Sequence, residues 1–127
     1  MEKSPAIPEN CQTVMPYLII ENAAGFISFM ESVFDARLTY KNMRDESSIR
    51  HGQLMIDECT IMFADKTDAI DIRAAGLFVY VRDADQVFHK AINAGAISIL
   101  PVTDQPYGRS RGVLDPFGNT WWITSPL

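Results

Sequence analysis

Two stretches of this chain repeat one another at a nearly constant spacing, which confines it to folds built from a duplicated unit. Ile20-Glu21-Asn22-Ala23 returns in kind as Val81-Arg82-Asp83-Ala84, sixty-one positions on, and Thr60-Ile61-Met62-Phe63 returns as Thr120-Trp121-Trp122-Ile123, sixty positions on. The local signals around them follow one order in both copies. Met15–Ile20 is a short apolar run suited to a buried strand. Asn22 can cap a helix, and Ala23, Phe26, Ile27, Met30, Val33 and Phe34 recur at helical spacing. Arg37–Met43, Ser48–Ile56 and Thr60–Ala64 then read as strands separated by turn formers. In the second copy Leu77–Val81 is a strand, and Asp83-Ala84-Asp85-Gln86 opens a helix with Ala84, Val87, Phe88, Ala91 and Ile92 on its apolar face. Gly95 ends that helix, and Ala96–Val102, Ser110–Asp115 and Thr120–Ser125 follow as strands. Both halves therefore read β-α-β-β-β, spanning about 13–64 and 76–125. Residues 65–75 form the linker, and residues 1–12 are a proline-bearing tail or an arm laid on a partner.

The C-terminal half carries two turn signals in sequence, Gln105-Pro106-Tyr107-Gly108 and Asp115-Pro116-Phe117-Gly118-Asn119. In the second, Asp115 can hydrogen-bond the backbone that follows it, Pro116 presets φ, and Gly118 accepts a φ that side chains resist. At 127 residues and 47% hydrophobic the chain has material for one domain with a substantial core. Its net charge of −5 disfavours nucleic acid and anionic membrane surfaces as partners. That charge suits a cationic ligand, and equally a plain solvated surface. No apolar run approaches a bilayer span and no secretory signal opens the chain, so residence in the cytoplasm is expected. Cys11 and Cys59 fit that compartment as free thiols, with no metal or redox spacing between them.

The paired wording of residues 105–108 and 115–119 resembles the glyoxalase/bleomycin-resistance/dioxygenase group, the vicinal oxygen chelate superfamily, in its bleomycin-resistance-like or PhnB-like members. The resemblance implies an α+β fold over one domain, residues 13–127, in which the two modules form a curved mixed sheet around a cavity. It also implies dimers, and in members that do chemistry a divalent metal held by the first and last strands of each half. Carried across the repeat, those ligand positions fall on Met15, Gly76, Met62 and Trp122, none of which offers an oxygen or imidazole donor. Phe78, where some relatives carry His, is no ligand either. A slip of one residue meets only apolar neighbours, and a slip of two brings in Thr13, Thr60 or Thr120. No metal and no cofactor is therefore expected.

Other polar residues can still work. His51, with Gln53 two positions on, can act as a general base or ligand anchor, or can sit on a wet strand face. His89 falls on the solvent side of its helix. Arg109 and Arg111 beside Tyr107 can meet a carboxylate or phosphate of a ligand, or pair with Asp104 or Glu58. Adjacent Trp121 and Trp122 must face opposite ways, Trp121 under a helix and Trp122 into the cavity. Met15, Met62, Phe78, Tyr107 and Trp122 then either form an aromatic and thioether box for a flat small molecule or fill the space themselves. The expected function is metal-free binding of a small, aromatic or cationic molecule by a homodimer. The alternatives are a glyoxalase-type lyase, isomerase or dioxygenase with an atypical site, and an enzyme using His51 as a base.

Overall fold

The computed structural model describes residues 4–127. Its elements run β1 (Tyr17–Ile20), α1 (Ala23–Phe34), β2 (Arg37–Met43), β3 (Ile49–Ile56), β4 (Cys59–Asp65), β5 (Gly76–Tyr80), α2 (Ala84–Asn93), β6 (Ile97–Gln105), β7 (Gly108–Leu114) and β8 (Thr120–Pro126). The curved mixed sheet is built as two four-stranded halves, ordered β1-β4-β3-β2 and β5-β8-β7-β6. In each half the first strand lies parallel to the last, with Tyr17 opposite Met62 and Phe78 opposite Trp122. The remaining pairs are antiparallel.

Local chemistry sets the helix starts. Asn22 accepts from the Gly25 amide at 3.0 Å and Asp83 from the Gln86 amide at 3.1 Å, each satisfying a donor that no helical carbonyl can reach. Asp65 adds a tie from β4: one carboxylate oxygen accepts from the Ala23 amide and the other from the Ile49 amide, both at 2.7 Å. The chain start of β1 differs from the sequence expectation. It begins at Tyr17 because Pro16 has no N–H to donate, although the Pro16 carbonyl still accepts from the Met62 amide at 2.8 Å. The β6–β7 connection is tighter than expected, since only Pro106 and Tyr107 separate the paired Gln105 and Gly108.

Residues before β1 lie on the chain's own β4. The Gln12 side chain donates to the Thr60 carbonyl at 2.8 Å and accepts from the Thr60 amide at 3.1 Å, while the Thr60 hydroxyl donates to the Asn10 carbonyl. A side-chain amide here stands in for a backbone neighbour that β1 is too short to supply. The linker behaves similarly: Ile19 and Arg73 exchange both backbone hydrogen bonds, at 3.1 and 2.8 Å, covering the outer edge of β1.

One core joins the two halves. Helix α1 buries Ala23, Phe26, Phe29, Met30, Val33 and Phe34, so Phe29 joins the expected face. From this face Phe34 reaches Trp121 with ring centroids 4.6 Å apart, and Phe26 stands edge-on to Phe117 at 5.4 Å. Helices α1 and α2 also touch. The helix-covered faces of both sheets thus turn toward the shared core, and the other faces point away from it. Among the described residues no helix is long and apolar enough to cross a membrane.

Candidate functional site

The outward faces are defined by strand register. On the first sheet Tyr17, Met62, Gln53 and Tyr40 form one row across β1, β4, β3 and β2. The corresponding row on the second sheet is Phe78, Trp122, Gly112 and Leu100. Successive strand residues alternate faces, so each row lies opposite the helices. Large side chains stand uncovered in both: Tyr17 is 47% exposed, Phe78 49% and Trp122 38%.

On the first sheet His51 binds through both ring nitrogens. Its Nδ1 lies 3.2 Å from the Tyr17 hydroxyl and its Nε2 lies 3.1 Å from Nε2 of Gln53. Its ring is also flanked by the rings of Tyr17 and Tyr40, at 5.4 and 5.8 Å. On the second sheet Phe78 gathers Tyr80 and Tyr107, with ring centroids 5.1 and 5.9 Å away. Trp122 lies over Gly76, where an added Cβ would come within 2.9 Å of the indole edge. The absence of a side chain at Gly76 gives the indole its seat.

The tryptophans separate as the strand period requires. Trp121 is fully buried and donates its indole N–H to Asp115 at 2.8 Å, whereas Trp122 faces outward. Within one chain Trp122 stays partly exposed on that face. Grooves of about 460 and 690 Å³ both open on the helix side, the first between α1 and Pro116-Phe117, the second beside Phe34, Asp57, Arg82 and Lys90. The outer faces have no roof.

Arg109 and Arg111 do not join Trp122. Residues 109, 111 and 113 share the face under α2, while Ser110 and Gly112 face outward. Arg109 pairs with Asp104 and Asp85, both at 2.9 Å, and Arg111 pairs with Asp85 at 3.1 Å. The Arg111 guanidinium also stacks 3.6 Å above the Phe88 ring centre. The hydrogen bond from Arg109 is the main influence holding the Asp85 carboxyl below the usual range; desolvation opposes it, and the Arg111 hydrogen bond adds to the lowering. Arg109 does the same to Asp104, and its own pKa is raised in return. Internal pairing thus uses these cations, with Asp85 rather than Glu58 as the second partner. His89 is exposed on α2 beside Phe88, and Cys11 and Cys59 are free thiols.

Met15 also sits apart from the row. It lies before β1, where its sulfur accepts from the Gln12 amide at 3.3 Å, and Tyr17 takes the place opposite Met62. Tyr17, Tyr40 and Tyr80 are outward residues that the sequence reading passed over. The repeat contained the signal for Tyr17, which stands sixty-one positions before Phe78.

A divalent metal does not fit the row positions. Met62, Phe78, Trp122 and Gly112 offer no hard donor, and both ring nitrogens of the nearby His51 are engaged by Tyr17 and Gln53. Among the described residues no three His, Cys, Asp or Glu side chains converge. No Asp or Glu lies on an outward strand position of either sheet, where Arg37 and His51 are the basic residues.

Paired β-α-β-β-β units with an outward face on each sheet define a class of two-module α+β proteins. The family model of the Glyoxalase/Bleomycin resistance protein/Dioxygenase superfamily matches residues 12–123, and the chain belongs to that superfamily. It is 28% identical over 124 residues to the uncharacterized protein Mb0911c of Mycobacterium bovis, spanning 88% of this chain and 82% of that protein. Its fold is similar to that of TioX from Micromonospora sp. ML1, with a TM-score of 0.74 and 24% identity over 91% of this chain and 99% of TioX. It is also similar to the fosfomycin resistance protein FosX from Mesorhizobium loti, with a TM-score of 0.67 and 16% identity over 93% and 92% of the two chains.

Proposed function

We propose that the protein is a metal-independent binder of small aromatic molecules, and that a second copy of the chain completes its site. The observation that carries this is the pair of uncovered rows, Tyr17-Met62-Gln53-Tyr40 and Phe78-Trp122-Gly112-Leu100. Tyr17 and Tyr40 on the first half, and Phe78, Tyr80, Ile97, Ile99, Tyr107 and Trp122 on the second, are large apolar or aromatic side chains left in water, the kind of surface that marks an interaction site. The two faces belong to different halves and point away from one core, so they cannot close on each other within a chain. A two-fold axis that sets the first sheet of one copy over the second sheet of its partner roofs both, and forms two equivalent chambers.

Within each chamber the aromatic rings supply stacking surface and the Gln53-His51-Tyr17 chain supplies the polar contact. Phe78, Tyr107, Trp122, Met62 and Gln53 are the ligand-lining residues of this reading. The donor set supports metal independence, because a Lewis acid needs several oxygen or imidazole ligands and Met62, Phe78 and Trp122, at the centre of the two rows, carry none. Free cysteines and the acidic surface are consistent with a cytoplasmic protein.

Light scattering at micromolar concentration tests the assembly, with a dimer mass expected and a monomer mass contradicting it. Elemental analysis after exposure to Mn, Ni, Zn or Fe and desalting is expected to find no stoichiometric metal. Uptake abolished by His51→Ala would instead support the atypical enzyme.

A further inference from the structure

Building on that binding site, we infer that Tyr17 presents its hydroxyl hydrogen to an oxygen on the ligand, so that the ligand class is an aromatic bearing a carbonyl, phenolate or carboxylate oxygen. The inference comes from the direction of the hydrogen-bond chain. The Gln53 atom facing His51 is the amide nitrogen, 3.1 Å from Nε2. An amide nitrogen only donates, so Nε2 must supply its lone pair. A neutral imidazole has one hydrogen, which this places on Nδ1, directed at the Tyr17 oxygen 3.2 Å away. That oxygen is therefore an acceptor in the chain, and its own hydrogen is left free. Among the described residues the Tyr17 hydroxyl has no other hydrogen-bond partner, and the residue is half exposed on the uncovered face.

Charge on the two faces points the same way. The chain carries a net charge of −5, yet no carboxylate lies on an outward strand position, and the basic residues there are Arg37 and His51. A cation placed between the sheets would lose water and meet aromatic rings but no counter-charge. An oxygen acceptor would meet the free phenol hydrogen. The acidity of the protein belongs to its solvent surface, and the ligand is selected by the opposite preference. His51 and Gln53 are positioning residues here, since they act on the ligand through Tyr17.

Three naphthalenes of like shape test this by fluorescence or calorimetric titration of the full-length protein: 2-acetylnaphthalene, 2-ethylnaphthalene and the ammonium form of 1-(2-naphthyl)ethylamine. The ketone is expected to bind roughly tenfold more tightly than the hydrocarbon, as one hydrogen bond made in place of water allows, and the ammonium more weakly than the ketone. Tyr17→Phe is expected to bring the ketone-to-hydrocarbon ratio near one, whereas His51→Phe, which leaves the phenol hydrogen but not its direction, is expected to lower the ratio only part-way; a general loss of structure would weaken all three probes alike and leave the ratio unmoved. Equal binding of all three probes by the unmodified protein overturns the inference and leaves the binding reading standing. Preference for the ammonium overturns it as well. Failure of every naphthalene to bind removes the binding reading and this inference together.

Discussion

Asp115 receives the indole hydrogen of Trp121 on one carboxylate oxygen at 2.8 Å, which couples the turn that reverses the chain to the largest side chain of the core. The same oxygen accepts from the Asn119 side-chain amide at 3.0 Å, and the other accepts from the Phe117 and Asn119 backbone amides at 2.8 and 2.9 Å. The carboxylate is almost fully buried, as are Asn119 and Trp121. Asp115→Ala leaves several buried donors without an acceptor and is expected to cost about 3 kcal/mol or more. Asp115→Asn should be nearly as damaging, because its NH2 group would confront two other donors. Urea unfolding should show a lowered midpoint for both; a midpoint within error of the parent would show that the turn forms without this carboxylate.

Gly76→Ala tests the seat of Trp122. An added Cβ would press on the indole edge at 2.9 Å, and the ring can yield only by moving off its place. Since the displaced group is a partly exposed side chain rather than backbone, stability is expected to change by no more than about 1 kcal/mol. Aromatic-ligand affinity should fall, and the Trp122 emission, isolated by difference against Trp122→Phe, should shift. Unchanged affinity and emission would mean that the indole is not positioned by Gly76.

The Asp85 pairs make a prediction about acid. A carboxyl whose folded-state pKa is depressed contributes stability above its unfolded-state value and loses it as pH falls through the folded-state value. Asp85 and Asp104 are both lowered, so their contribution is present at neutral pH and disappears below about pH 4. The pairs are solvent-accessible, which keeps the effect small and salt-sensitive. The melting-temperature gap between the parent and Asp85→Asn should therefore close on acidification and shrink in high salt. A gap that widened toward pH 2.5 would contradict the pairing.

Gln12→Ala removes both hydrogen bonds that its side chain makes with the Thr60 backbone. Thr60 is fully buried, and the loss is expected to be about 1–2 kcal/mol. Native-state hydrogen exchange at the Thr60 amide should quicken at least tenfold, while the Phe63 amide in the middle of β4 changes little. Unaltered exchange at Thr60 would show that the arm is not held through Gln12.

Features whose causes lie within a few residues are readable from the amino-acid order alone. Asn22 and Asp83 are legible as caps because each satisfies an amide three positions on, and Asp115 as a turn former because its partners follow within six. The repeat made the order of elements readable twice, and a strand period of two separated Trp121 from Trp122. The tertiary structure decided what depends on distant partners. Asp85 meets Arg109 from twenty-four positions away, across a helix and a strand whose register no local signal states. The uncovered rows, likewise, follow from Phe34 packing on Trp121, which turns the helix-covered faces toward one core. Tyr17 takes its place in the outward row because β1 starts after Pro16 and pairs with Met62. A cap or a turn is a local balance of hydrogen bonds and dihedral preference, but the facing of two sheets is settled by which large side chains fill the shared interior.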